Sequence, residues 1–174
     1  VLAAGGSRRM GSHKALLRFD GQPWIMHHVR ALAPEVDRVR VVLGAQAEAI
    51  RAVLPPEVEV LLNPDWARTG MAESLALALA GLEDQARVLV TPVDVPPAPA
   101  WVLQALLAAG GAVVPTCEGH DAHPVVVMAG PTRAALPGHT LREVLATAPR
   151  KELGWAEGLQ NLNTSEDFQR WRAG

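Results

Sequence analysis

Short β-branched runs alternate with alanine- and leucine-rich stretches of helical spacing along most of this chain. That alternation restricts it to parallel βαβ units, with a sheet covered by helices on both faces. Val39 to Leu43 reads as a buried strand. A helical stretch from about Ala45 to Val53 follows, stopped by Pro55-Pro56. Val58 to Leu62 is a second strand, closed by Asn63-Pro64, and Met71 to Leu82 is helical, with Leu75, Leu79 and Leu82 on one face. Arg87 to Thr91 is a strand that ends in a proline-rich turn through Pro99. Trp101 to Ala108 is helical, and Ala112 to Pro115 and Val125 to Met128 return to strand. Only a short polar turn precedes Val125, too little for a crossover helix, so an antiparallel, mixed edge is expected there. The fold class is α/β, a three-layer Rossmann-like open sheet that is mostly parallel but mixed. No repeat, linker or composition shift divides it, so residues 1–174 read as one domain.

At 174 residues, with 49% hydrophobic and 20% charged, the chain can bury a core of its own. A net charge of -2 with scattered basic residues argues against nucleic acid as the main partner. No apolar run approaches the roughly 20 residues of a bilayer span, so no membrane association is expected. The opening Val-Leu-Ala-Ala-Gly has neither an initiator methionine nor a charged n-region; the first strand reads as clipped and no signal peptide is expected. The single cysteine, Cys117, fits a reducing, cytoplasmic setting and reads as structural.

Chemistry concentrates where strands end, which is where open α/β sheets bind ligands. The first strand runs into Leu2-Ala3-Ala4-Gly5-Gly6-Ser7-Arg8-Arg9-Met10-Gly11-Ser12-His13-Lys14. Small residues let backbone approach a ligand, and successive N–H groups can converge on phosphate oxygens. Arg9 and Lys14 add charge suited to a polyphosphate. Ser12 stands where a Walker A loop needs lysine, and no Gly-x-Gly-x-x-Gly occurs. The competing reading is a surface loop with incidental basic residues. Asp94, in Thr91-Pro92-Val93-Asp94-Val95-Pro96, is either a turn residue or a functional carboxylate at the strand's carboxyl edge. Asn63 to Leu75 runs from a strand end through Gly70 into a helix whose first N–H groups suit an anion or a base edge; Met71 there suits core packing equally. Asn161 and Asn163 precede the last helix, which Thr164 or Ser165 caps; alternating along a strand end, they would point to one side. His123-Pro124 introduces a strand and has no partner at metal-ligand spacing. His27 and His28 read as surface or packing residues, and the five tryptophans form no stacking platform.

Leu-Ala-Ala-Gly-x-Ser-x-Arg-Met-Gly-x-x-Lys resembles the signature of the MobA/MocA group of molybdenum-cofactor nucleotidyltransferases, within the nucleotide-diphospho-sugar transferase fold. The resemblance spans nearly the whole chain. It implies that Leu2, Ala3, Ala4, Gly5, Gly6 and Ser7 lie at the nucleotide, with Arg9 and Lys14 on its phosphates as catalytic residues. Arg8 falls at a variable position. The Asp-x-Pro aspartate, Asp94, is implied as catalytic and as the magnesium ligand, with Asn163 beside it. The Gly-Met-x-x-Ser-Leu segment resembles the cytidylyl branch and implies Asn63, Gly70 and Ser74 near the nucleotide. His123, Arg142 and Asn161 are implied on the acceptor side. There the pattern departs: Pro137-Gly138-His139-Thr140-Leu141-Arg142 replaces Gly-Asp-x-Gly-Ala-Arg, and Ser165 replaces a proline.

The implied activity is Mg²⁺-dependent transfer of CMP, or GMP, from a nucleoside triphosphate to the phosphate of molybdopterin, releasing pyrophosphate. Ala4 favours CTP over GTP, since the guanylyl branch has glycine there. The implied partners are the pterin phosphate and a molybdoenzyme that receives the finished cofactor. The alternatives are another phosphorylated acceptor, or a non-catalytic pterin- or nucleotide-binding maturation factor.

Overall fold

The computed structural model describes residues 1–7 and 13–173. Strands β1 (Leu2–Ala3), β4 (Arg40–Leu43) and β5 (Glu59–Leu62) pair in parallel, with Leu2 opposite Val42 and Val42 opposite Leu61. On the other side of β1, the Leu2 N–H donates to Thr91 O (2.9 Å) and the Leu2 carbonyl accepts from Val93 N (3.0 Å). These bonds tie β1 to the exit of β6 (Arg87–Val90). Strand β6 pairs antiparallel with β9 (Val125–Met128), which is bridged through Val126 to Val113, ahead of β7 (Val114–Cys117). Strand β10 (Arg150–Glu152) lies parallel to β7, and β8 (His120–Asp121) forms a hairpin with it. Reading across, the order is β5-β4-β1-β6-β9-β7-β10. A separate hairpin joins β2 (Arg18–Phe19) and β3 (Gln22–Pro23).

Side chains alternate along each strand, and the alternation builds two cores. Ala3, Val41, Leu43, Leu89 and Val126 face α1 (Trp24–Leu32), α2 (Ala47–Arg51) and α4 (Ala100–Leu107). Leu2, Ala4, Val42, Val90, Val125 and Val127 face α3 (Met71–Leu79), α5 (Ala129–Ala135) and α6 (Leu141–Val144). The last helix, α7 (Ser165–Ala173), docks on the first core through Phe168 and Trp171. The three-layer α/β architecture therefore stands as the sequence implied. Among the described residues, no helix is long and apolar enough to cross a membrane.

Several local readings need correction. Val125–Met128 is antiparallel, but it is an interior strand, because β6 and the start of β7 flank it and its valines are buried on both faces. Helix α3 stops at Leu79, short of Leu82. Side chains take the carbonyls at its end: Arg40 donates to those of Ala78 and Ala80, Arg133 donates to that of Leu79, and Gly81 turns left-handed at φ 70°. The tryptophans also meet in part. Trp24, fully buried, packs edge-on against Trp171 (5.0 Å) and Phe168 (4.8 Å), forming a core rather than a platform for bases.

His28 sits inside this aromatic packing, its Nε2 buried without a hydrogen bond, and burial pushes its pKa down to about 3. In the unfolded chain the imidazole returns to roughly 6.5. Between those values the unfolded state binds a proton that the native state does not, so stability is lost as pH falls through that window. Urea midpoints should fall from about pH 7 to about pH 5, and His28→Leu should flatten that slope. An unchanged slope in the variant would remove His28 as its source.

Candidate active site

The glycine-rich turn and the Asp94 turn leave neighbouring strands at the same carboxyl edge, because β1 hydrogen-bonds to both Thr91 and Val93. Ser7 adopts a left-handed backbone (φ 47°), and its Oγ accepts from the Lys14 N–H at 3.0 Å, which ties the two ends of the turn together. The intervening Arg9, expected on the phosphates, lies outside the described residues, as do residues 8 and 10–12. Lys14 opens a 3-10 turn (Lys14–Leu16) capped by His13, whose Nδ1 accepts from Ala15 N (3.3 Å). His13 is buried. Burial pushes its pKa down, the Gly5 carbonyl opposes this, and Lys14 adds to it.

Lys14 points its ammonium at two oxygens from distant parts of the chain. Nζ donates to Asp94 Oδ2 at 3.2 Å and to Asn163 Oδ1 at 2.8 Å. The lysine side chain is only 9% exposed and the Asp94 side chain 29%, so the pair is largely shielded from screening by solvent. Asp94 is held from below by the Trp24 indole, which donates to Val93 O (2.7 Å), and from the side by Leu162 N, which donates to Asp94 O (2.7 Å). Asn163 is fixed by a reciprocal cap. Asp167 accepts from the N–H groups of Asn163 (2.9 Å) and Thr164 (2.8 Å), and Thr164 Oγ1 accepts from Asp167 N (3.1 Å). Those bonds also hold the Asp167 carboxyl below its usual range.

A carboxylate and an amide oxygen converging on one cation are the hard donors that magnesium or manganese takes. Among the described residues no three His, Cys, Asp or Glu side chains gather into a metal cage. A divalent ion held at Asp94 and Asn163 would complete its shell with substrate phosphates and water.

Beside this cluster a cavity of about 540 Å³ opens between α3, β9 and α6. His123 and Arg142, both expected on the acceptor side, line it together with Gly70, His139 and apolar Val125, Leu136 and Leu141. His123 connects cavity to cluster: burial pushes its pKa down while Asp94 and then Asp121 pull it up, and its Nδ1 is buried without a hydrogen bond.

Other expected contacts have different environments. Leu2 uses both backbone polar groups in the sheet and buries its side chain, so it positions the turn and offers a nucleotide nothing directly. Ala3 and Ala4 are buried too, and the Ala4 carbonyl accepts from Ala45 N (3.1 Å). Gly5 is exposed and Gly6 half-buried. A Cβ on Gly6 would lie 2.9 Å from the Trp66 ring, which covers the turn. Asn63 and Ser74 are buried against each other: Asn63 Nδ2 donates to Ser74 Oγ (3.1 Å) and Thr69 Oγ1 (3.0 Å), and Asn63 Oδ1 accepts from Asp65 N (3.1 Å). They brace the loop instead of presenting donors to a ligand. The N–H of Gly70 is taken by Glu73 (2.8 Å), so an internal carboxylate stands where an anion was expected. Asn161 is exposed and lies outside the cavity lining, and it does not share the half-buried environment of Asn163. The cap at His13, the cover by Trp66 and the brace from Trp24 were not anticipated.

Comparison with known proteins places the chain in a family and supports the fold. The family described as the MobA-like NTP transferase domain matches residues 1–153. Bifunctional protein GlmU of Paraburkholderia phytofirmans is 32% identical over 97% of this chain, which spans only 42% of that relative's length. Rv0371c of Mycobacterium tuberculosis H37Rv superposes with a TM-score of 0.83 at 21% identity, covering 99% of this chain and 95% of that one. Its complex with manganese gives 0.75 at 19%, covering 97% and 94%. Molybdopterin-guanine dinucleotide biosynthesis protein A from Archaeoglobus fulgidus gives 0.68 at 20%, covering 97% and 93%. At these identities the solved structures speak to fold alone.

Because the buried Asn63 side chain makes three hydrogen bonds, that to Ser74 fully buried, Asn63→Ala should cost about 1–3 kcal/mol in urea unfolding. A loss well below about 0.5 kcal/mol would mean the loop does not rely on them.

Proposed function

Since the chain belongs to the MobA-like NTP transferase family, we propose that it transfers CMP, in preference to GMP, from a nucleoside triphosphate to the phosphate of a molybdopterin-type pterin. The observation that carries this reading is the meeting of Lys14, Asp94 and Asn163 beside the glycine-rich turn. That arrangement supplies one cationic side chain and two oxygens suited to a divalent ion, next to backbone able to approach phosphate.

The acceptor phosphate, with its second pKa near roughly 6, is already anionic at neutral pH. Its oxygen attacks the α-phosphorus in line and pyrophosphate leaves, with no general base needed. Catalysis then rests on positioning and charge neutralisation. Lys14 and Arg9 offset the charge of the triphosphate, the turn from Ala4 to Ser7 orients it, and Asp94 with Asn163 holds the ion. Magnesium supplies Lewis-acid neutralisation of the phosphoryl oxygens when bound; the manganese complex of Rv0371c supports a divalent ion in this fold. The cavity at His123 and Arg142 receives the acceptor. Ala4, where the guanylyl branch has glycine, supports CTP. A molybdoenzyme is the implied recipient of the product.

The match to GlmU over nearly the whole chain favours a second reading, nucleotidyl transfer to a different phosphorylated acceptor. Pyrophosphate release with CTP, GTP, ATP and UTP separates the two, run against molybdopterin and a panel of phosphorylated acceptors with and without Mg²⁺. We expect Mg²⁺-dependent release with CTP and molybdopterin, and a loss of about 100-fold or more in Lys14→Ala and Asp94→Ala. Pterin binding without any release would instead mean a maturation factor, and near-normal release by either variant would remove that residue's role.

A further inference from the structure

The Lys14 ammonium stands between two oxygens that the proposed divalent ion would use. Its nitrogen is 3.2 Å from Asp94 Oδ2 and 2.8 Å from Asn163 Oδ1. Magnesium binds oxygen at about 2.0–2.1 Å and prefers near-octahedral shells. An ammonium already at hydrogen-bond distance from both ligands occupies that volume, and two adjacent cations would repel strongly in a shielded site. Lysine and metal therefore compete for Asp94 Oδ2 and Asn163 Oδ1. We propose that Lys14 is an internal counter-cation that closes the Asp94–Asn163 seat until a triphosphate draws the ammonium away, so that nucleotide and metal bind as mutually dependent ligands.

The physical basis is a competition of charges. The side chain is buried to the point where leaving Asp94 costs free energy unless another anion receives the ammonium. A triphosphate in the glycine-rich turn is such an anion. The turn and the lysine are coupled directly, because Ser7 Oγ accepts from the Lys14 backbone N–H. Movement of the ammonium toward phosphate removes the competing charge from Asp94 Oδ2 and Asn163 Oδ1, where a dication can then bind. By linkage, metal must favour nucleotide by the same factor as nucleotide favours metal. The device would keep a lone carboxylate from trapping divalent ions unproductively.

This inference rests on the nucleotidyltransferase reading, and its test is a binding measurement. Free Mn²⁺ is followed by electron paramagnetic resonance as it is titrated into the protein without nucleotide. The wild type should bind weakly, and Lys14→Met, which keeps the stem but not the charge, should bind about tenfold or more tightly. Lys14→Gln should gain likewise and covers the case in which Lys14→Met does not fold. Adding Asp94→Asn to either variant should abolish the gain, which places the ion at the seat. Equal or weaker Mn²⁺ binding by the folded variants would overturn the proposal, as would a gain that survives Asp94→Asn. CTP binding by the wild type, measured by equilibrium dialysis, separates the failures: if CTP binds while Mn²⁺ affinity ignores Lys14, only the counter-cation role falls; if no nucleoside triphosphate binds, the catalytic reading falls with it.

Discussion

Two hydrogen bonds at Leu2 set the geometry of everything above them. Its N–H reaches Thr91 O and its carbonyl receives Val93 N, so β1 is locked between β4 and the exit of β6. A shift of one residue would turn Leu2 and Ala4 toward the wrong core and carry the glycine-rich turn away from Asp94. The locked register is what allows Lys14, eighty positions before Asp94, to reach it at all. Leu2 thus serves the site through its backbone, which explains why so apolar a residue stands at the head of the turn.

The third member of the cluster arrives from the far end of the chain. Asn163 stays at Lys14 because α7 is held at two points. Phe168 and Trp171 lodge against Trp24, and Thr164 and Asp167 cap the helix start. Trp24 also donates to Val93 O, so one indole braces both the segment behind Asp94 and the helix behind Asn163. Buried aromatic surface of that size outweighs what a nine-residue helix gains from propensity alone. The position of a single amide oxygen is thereby made a consequence of core packing.

Much of this is legible in the sequence. Periodicity gave the strands from Arg40 to Val90 within a residue or two, since β-branched runs bounded by proline have few alternatives. Lys14, Asp94 and Asn163 were singled out from motifs at strand ends, and they do meet. What sequence could not show was pairing across distance. The burial of Asn63 against Ser74, the capture of Gly70 N–H by Glu73 and the closure of Leu2 into the sheet all depend on which donors find partners inside the protein. A motif marks that a residue matters, yet a loop-bracing asparagine and a ligand-binding one have the same letter. The interior place of Val125–Met128 was hidden for a similar reason: the turn before it announced antiparallel pairing with the preceding strand near Val113, but its second neighbour, β6, comes from non-local pairing.

The cavity between α3, β9 and α6 follows the same accounting of partners. Of its two carboxylates, Asp121 is gripped by Arg150 through two bonds (3.2 and 3.0 Å), which hold its pKa below the usual range, and Glu73 caps Gly70. Both negative charges are already engaged within the protein. A molecule entering the cavity meets the guanidinium of Arg142 and the imidazoles of His123 and His139 against apolar walls. Such a lining discriminates in favour of an anionic group attached to a body with apolar faces. Burial pushes the His123 pKa down while Asp94 and Asp121 pull it up, so this imidazole is where the cavity and the charged cluster meet. The character of the cavity is thus set by which carboxylates find partners inside the protein, and that leaves a guanidinium and imidazoles among apolar side chains along its lining.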